Sequence, residues 1–476
     1  MRVLFLNPPS FDDFDGGAGS RYQATREVRS FWYPTWLAYP AGMLPDSRVL
    51  DSPASGLNVD RTLDIAKDYG LVVMYTSTPS LANDTAIAAK IKGRRPDTLV
   101  CFVGPHPSVL PEETLSASPP VDFVVRGEFD HAVVEVAGGK PLKDVAGISY
   151  REGERLLHNP DRPLIHDLDA LPMATEVYHR DLDYREYEIP WLQYPYVSFY
   201  TGRGCSSKCV FCLWPQTYSG NAYRTRGVDS VVEEVRLILK YYPDVKEIFF
   251  DDDNFCEDQA RAVAIADAIK PLGISWGCNS KVTTKYETLK AMHEAGMRVI
   301  MVGYETGSQE ILNNVRKGTT VEQARTFTKD CKELGIMVHG AFVLGLPGET
   351  RETIESSIRL ACEMDPDTIQ VSLATPYPGT KFYDLCVKEG YVNPQSLVNQ
   401  EGYQSCVLNY PGISGDEIFM GVEKFYKRFY YRPKYVVKVL YNAFKSLDEL
   451  KKIYREAREF YGFMAKRKQF MNNPGC

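Results

Sequence analysis

Three cysteines, Cys205, Cys209 and Cys212, stand four and three residues apart in the stretch GRGCSSKCVFCLWPQTYSG. The next cysteine is Cys256, and no histidine lies between His179 and His293. Clustered thiolates suit iron–sulfur ligation, where cysteine is the usual ligand. A structural zinc site wants four closed ligands. Three ligands leave one metal position open, and an open position is what a metal needs for chemistry. Zinc, and three incidental loop cysteines, stand as the weaker alternatives.

The elements that must position this loop are legible on either side of it. YVSFYTGRG reads as a strand delivering a glycine-rich loop, whose backbone N–H groups can face the sulfurs. Downstream, EIFFDDDNF, SWGCNSKV, RVIMVGYETG, MVHGAFVLGLPGE and TIQVSLATPYPGT read as further strands. Segments of helical spacing, such as GVDSVVEEVRLILKYY and TRETIESSIRLACEM, lie between them. That makes six strand–helix units over residues 196–385, short of the eight of a closed barrel. Upstream, the apolar runs in MRVLFLNPP, DYGLVVMYTSTPS, DTLVCFVGPHPS and VDFVVRGEFD alternate with helical spacing. They predict a Rossmann-like domain over 1–140, with ligands beyond the carboxyl ends of its strands. Residues 141–195, rich in Pro, Asp and Tyr, read as a connector, and 386–476 as a helical, aromatic and basic region. The expected fold class is α/β: an N-terminal Rossmann-like domain, a central partial (β/α)6 barrel and a C-terminal helical region.

Composition sets the surroundings. With 476 residues, 44% hydrophobic and 25% charged, the chain reads as a soluble protein of two or three domains. No apolar run approaches the ~18 residues of a spanning helix, and MRVLFLNPPS reads as a strand rather than a signal peptide. Eleven cysteines, clustered once and otherwise scattered, suit a reducing cytosol. The expected location is cytoplasmic, with no nucleic-acid partner. The net charge of −7 conceals a basic tail: residues 421–470 carry 14 Lys/Arg against 5 Asp/Glu. Such a tail reads either as a surface for anionic lipid, on the inner face of the membrane, or as a solvated helix face.

The C-x3-C-x2-C spacing with Phe211 before the last cysteine, at the end of the first of six strands, resembles the radical S-adenosylmethionine (SAM) superfamily. The resemblance implies a [4Fe–4S] cluster on Cys205, Cys209 and Cys212. It implies that SAM fills the open iron and is cleaved by one electron to a 5′-deoxyadenosyl radical. It also assigns SAM contacts by strand end. Asp252 and Asp253 would meet the amine; Asn279, Ser280 and Lys281 the carboxylate. Glu305 would sit over the barrel mouth, and Leu344, in FVLGLPGE, would line the adenine side. No residue is singled out as a proton donor or acceptor to substrate.

GPHPSVLPEE, VVRGE, LGLPGET and TPYPGT together resemble the radical SAM class that carries an N-terminal B12-binding-type domain. Within it, the segment 7–41 and the tail EKFYKRFYYRPKY are similar to hopanoid-biosynthesis members of the HpnJ type. That implies a polar-headed hopanoid lipid as substrate, with contraction of its amino-sugar ring to a cyclopentane, and an external flavodoxin- or ferredoxin-type electron donor. A cobalamin-dependent radical methyltransferase of the same architecture is the alternative; a non-catalytic iron–sulfur protein leaves the strand-end carboxylates without purpose. The string D-x-H-x-x-G, which supplies a lower histidine to cobalamin, is absent. Cobalamin held without a protein histidine, and a retained scaffold that binds nothing, both stay open.

Overall fold

The computed structural model describes residues 1–9, 30–392 and 406–443, and short stretches between 450 and 462. The first sheet has seven strands: β1 (Val3–Asn7), β2 (Ser47–Asp51), β3 (Leu71–Tyr75), β4 (Leu99–Val103), β5 (Phe123–Val125), β6 (Ile148–Glu152) and β7 (Arg155–His158). Their spatial order is β2-β1-β3-β4-β5-β6-β7. The first five are parallel, and β1, β3 and β4 are near-continuous apolar runs because helices cover both faces. β6 and β7 add antiparallel, which corrects the reading of 141–195 as a plain connector. The turn between them holds Gly153 at φ 61°, and the hairpin extends the first sheet to His158.

The second sheet begins with β8 (Tyr196–Phe199), followed by a two-residue ribbon, β9 (Gly202–Arg203) and β10 (Arg224–Thr225). β11 (Glu247–Phe250), β12 (Ser275–Ser280), β13 (Met297–Glu305), β14 (Met337–Leu344) and β15 (Thr368–Leu373) complete it. The order β15-β14-β13-β12-β11-β8 is sequential and every pairing is parallel, which is the expected six-unit partial barrel. Its helices are well punctuated: Val321–Leu334 and Arg351–Met364 both start in capping boxes, at Thr320 and Thr350.

An open barrel has two raw edges, and both are sealed by tyrosine hydroxyls. At β8, Tyr33 donates to the carbonyl of Tyr196 at 2.9 Å and Tyr39 to that of Tyr200 at 3.4 Å. At β15, the helix Gly415–Tyr430 presents Tyr426 and Tyr430. They accept from the amides of Val371 (3.0 Å) and Ile369 (3.1 Å), and Tyr430 also donates to the Ile369 carbonyl. Unpaired strand edges invite aggregation, so this covering is a structural need. Of the region 386–476, read from sequence as helical, the described residues are helical over Gly415–Tyr430 and Pro433–Ala443, whereas 406–414 forms only a turn and isolated bridges. Most of the segment 444–476 lies outside the described residues.

Candidate functional site

The cysteine loop leaves β9 through Gly204, which no other residue could replace. Its φ is +87°, and a Cβ there would meet the carbonyl oxygens of Ala222, Ser219 and Gly220. Cys205 and Cys209 are buried and Cys212 half-buried. The side-chain amide of Gln216 ties the loop down, donating to the carbonyls of Cys212 (2.7 Å) and Val210 (3.1 Å). Burial pushes all three thiols above the ordinary value; at Cys212, Asp253 and the other two sulfurs add to it. The three sulfurs therefore share one locale. Among the described residues, no group of three His, Cys, Asp or Glu closes on a single ion. Three thiolates suit a cluster with one open iron better than a closed four-ligand zinc site.

The strand ends converge on the same loop. Asp253 is half-buried and acts electrostatically on both Cys205 and Cys212. Asp252 is fully buried and engaged by the protein itself, accepting from the Thr201 amide (2.6 Å), the Thr201 hydroxyl (2.6 Å) and Tyr223 (2.7 Å). Asn279 donates to Asp251 (3.2 Å) and to the carbonyl of Asp252 (3.0 Å). Ser280 shares a hydrogen bond with Thr284, and Lys281 donates to Ser207 of the cysteine loop at 2.9 Å. Leu344 is buried where β14 ends. Glu305 lies at a β-bulge with φ +65°, paired with Lys317.

Several residues at the site carried no sequence signal. Glu257 accepts from the Ser206 amide (3.0 Å) and from the Cys205 thiol (3.6 Å). Burial opposes the charge on Lys317, but Glu305 and Cys209 outweigh it and hold the ammonium well above its ordinary value. Behind the loop, Arg203 is clamped by Glu128 (3.2 Å) and Asp130 (3.0 Å) of the first domain, and Arg224 by Glu128 (2.9 Å). The Arg203 guanidinium also lies 4.6 Å from the ring of Trp36 and 4.7 Å from that of Tyr39.

These features carry a decisive counterpart in known proteins. The radical SAM superfamily model matches residues 199–361, and the B12 binding domain model residues 24–137. A Pyrococcus horikoshii protein named as an uncharacterized methyltransferase is 34% identical over 455 residues, covering 93% of this chain and 95% of its own. The chain belongs to the radical SAM superfamily. This radical SAM protein is also 26% identical to an anaerobic magnesium-protoporphyrin IX monomethyl ester cyclase of Rubrivivax gelatinosus, over 90% of this chain and 77% of the relative. A hopanoid C-3 methylase of Methylococcus capsulatus is 27% identical, over 62% and 56% of the two chains. In fold it resembles TsrM of Kitasatospora setae, a radical SAM methyltransferase solved with cobalamin and a [4Fe–4S] cluster. The TM-score is 0.69 over 91% of this chain and 90% of that one, at 15% identity.

Membership implies a [4Fe–4S] cluster and SAM, and Cys205, Cys209 and Cys212 are the residues that would hold the cluster. For a corrin, the test is the face between the carboxyl ends of the first sheet and the helix after the cysteines. Trp36, Trp214 and Tyr218 meet there, with ring centroids 4.5 to 6.3 Å apart, and Tyr75 stands against Trp214 and Tyr218. The Tyr218 hydroxyl, Ser219 hydroxyl and His106 Nε2 are buried without a hydrogen-bond partner among the described residues. Burial lowers His106 to about 4, so its ring is neutral, with Nδ1 3.0 Å from Thr78. An aromatic wall with unpaired polar atoms fits a large, mostly apolar ring. The segment after β1, where D-x-H-x-x-G would fall, lies largely outside the described residues.

Proposed function

We propose that the protein is a cobalamin-dependent radical SAM methyltransferase. The observation that carries this reading is the 34% identity to a protein named as a methyltransferase, over nearly the full length of both chains and both domains. When bound, the cluster supplies an electron to SAM and cobalamin a carrier for its methyl group. The protein's own part is to hold and to shield. Cys205, Cys209 and Cys212 hold the cluster, while Asp253, Asn279, Lys281 and Glu305 stand at the strand ends where the amino-acid moiety of SAM would be gripped. Trp36, Tyr75, Trp214 and Tyr218 would pack on the corrin, and the buried interface behind them keeps water from the transfer.

The substrate class remains a polar-headed hopanoid lipid, supported by the sequence resemblance and by the more distant hopanoid C-3 methylase. Ring contraction of an aminosugar headgroup is the second reading, favoured by the segments 7–41 and 423–435. An external flavodoxin- or ferredoxin-type donor would supply electrons. No described helix is long and apolar enough to cross a membrane; contact with the inner membrane face would run through the basic tail.

The products decide between the two readings. Reconstituted protein with SAM, cobalamin, a one-electron reductant and extracted hopanoids should yield S-adenosylhomocysteine and a lipid heavier by one methylene. A ring-contracted lipid of unchanged carbon count, formed without S-adenosylhomocysteine, would overturn the methyltransferase reading.

A further inference from the structure

Lys317 is an unusual place for a lysine. It is 9% exposed, and it sits in a turn, 315–318, that holds Arg316 at φ +55° and Gly318 at φ +70°. A left-handed Arg and a left-handed Glu305 are costly backbone states, and they occur here on two segments that meet in one ion pair. Gly303 makes room for that pair: a Cβ there would meet the Glu305 carboxylate and, at 2.9 Å, the Lys317 ammonium. The turn is pinned to the cysteine loop by two contacts. The Val210 amide donates to the Val315 carbonyl at 3.0 Å, and Lys281 reaches from Ser207 to the Lys317 carbonyl at 3.4 Å.

The Val210 amide that holds this turn directly follows Cys209, and Lys281 bridges the turn to Ser207, so the buried pair stands beside the cysteine loop. A cation near an iron–sulfur cluster favours the reduced, more negative state, and cluster potentials follow local charge. We propose that Lys317 is a tuning charge for the cluster, raising its reduction potential, and that Glu305 sets how much of that charge the cluster feels. The inference rests on the radical SAM reading of the three cysteines.

The two halves of the pair should act in opposite directions. In an anaerobic potentiometric titration without SAM, followed by the electron paramagnetic resonance signal of the reduced cluster, Lys317→Met should lower the midpoint potential. Glu305→Gln should raise it. A role in folding alone moves neither in this opposed manner. Shifts of the same sign, or none, overturn the inference. If Lys317→Met takes up no iron, Lys317→Arg decides: a wild-type potential supports the charge, and a lowered one overturns it. Wild-type protein that assembles no [4Fe–4S] cluster would instead remove the function on which the inference rests.

Discussion

Arg203 and Asp130 face each other across the domain boundary through two hydrogen bonds, each 3.0 Å long. Both side chains are buried, and Glu128 joins Arg203 to Arg224, so two acids neutralise two bases. Arg203 lies two residues before Cys205. The first domain therefore braces the strand that leads into the cysteine loop. Breaking a buried pair by removing one partner costs roughly 3–5 kcal/mol, whereas replacing both with apolar groups costs far less. Arg203→Met should lower the urea midpoint and the iron bound per chain. Arg203→Met with Asp130→Leu should recover much of the midpoint. Additive losses in the pair would deny the coupling.

Replacing Cys205, Cys209 or Cys212 with Ala should abolish SAM cleavage and lower cluster iron. The same change at Cys101, buried on β4 of the first sheet, should leave iron content near wild type. Iron analysis and the visible absorption of reconstituted protein measure both. Full iron loading in Cys209→Ala would remove that residue from the ligand set.

Asp253→Asn should weaken SAM by roughly 1.5–3 kcal/mol, the worth of a charge-assisted hydrogen bond, while the cluster spectrum persists. Asp252→Asn should act differently. Its carboxylate accepts from Thr201 and Tyr223, so its loss should show in thermal stability before it shows in SAM affinity. Equilibrium binding of SAM to both variants separates the two carboxylates.

Glu349 gives a pH signature. Burial raises its carboxyl to about 7 from an ordinary 4.5, despite hydrogen bonds from Thr353 and the Gly345 amide. The folded state thus holds a proton that the unfolded chain releases above 4.5. The resulting stability is full below that value and is lost as pH rises through 7. Glu349→Gln should therefore gain stability relative to wild type between pH 4.5 and pH 8. The gain is about 3 kcal/mol by the linkage between pKa and free energy. Parallel urea curves at the two pH values, with a constant difference between proteins, would refute it. His106 and His339, both lowered to about 4 by burial, oppose Glu349 in wild type, since each loses stability as pH falls from 6.5 toward 4.

The segment 446–470 should carry any membrane attachment. Liposomes with anionic lipid should sediment the full chain and lose it as salt rises, each Lys or Arg contributing about 1 kcal/mol. A chain ending at Lys445 should stay in solution. Equal, salt-independent behaviour of the two would leave only the edge-covering role of Tyr426 and Tyr430.

The strand–helix alternation was legible because buried parallel strands read as unbroken apolar runs and their helices as amphipathic ones. The cysteine spacing was legible because the loop is local in sequence. β2 was not: SRVLD is short, and only Val49 and Leu50 lie between the charges of Arg48 and Asp51. Nor was the helix Thr35–Gly42, which contains Pro40 and ends in glycine, so packing and not propensity holds it. The hairpin of β6 and β7 hid inside a polar stretch. Glu128, Asp130, Arg203 and Arg224 meet over separations of 73 to 96 residues, and nothing local marks such partners. Glu257 and Lys317 carry no such mark because they stand beyond the strand ends, on turns that only the folded chain brings back to the cysteines.

The tyrosines that seal β8 and β15 come from outside the barrel, one set from the first domain and the other from the C-terminal helix. The barrel thus keeps both lateral edges hydrogen-bonded without a seventh or eighth strand, and each edge would lose that cover if its neighbouring segment were removed.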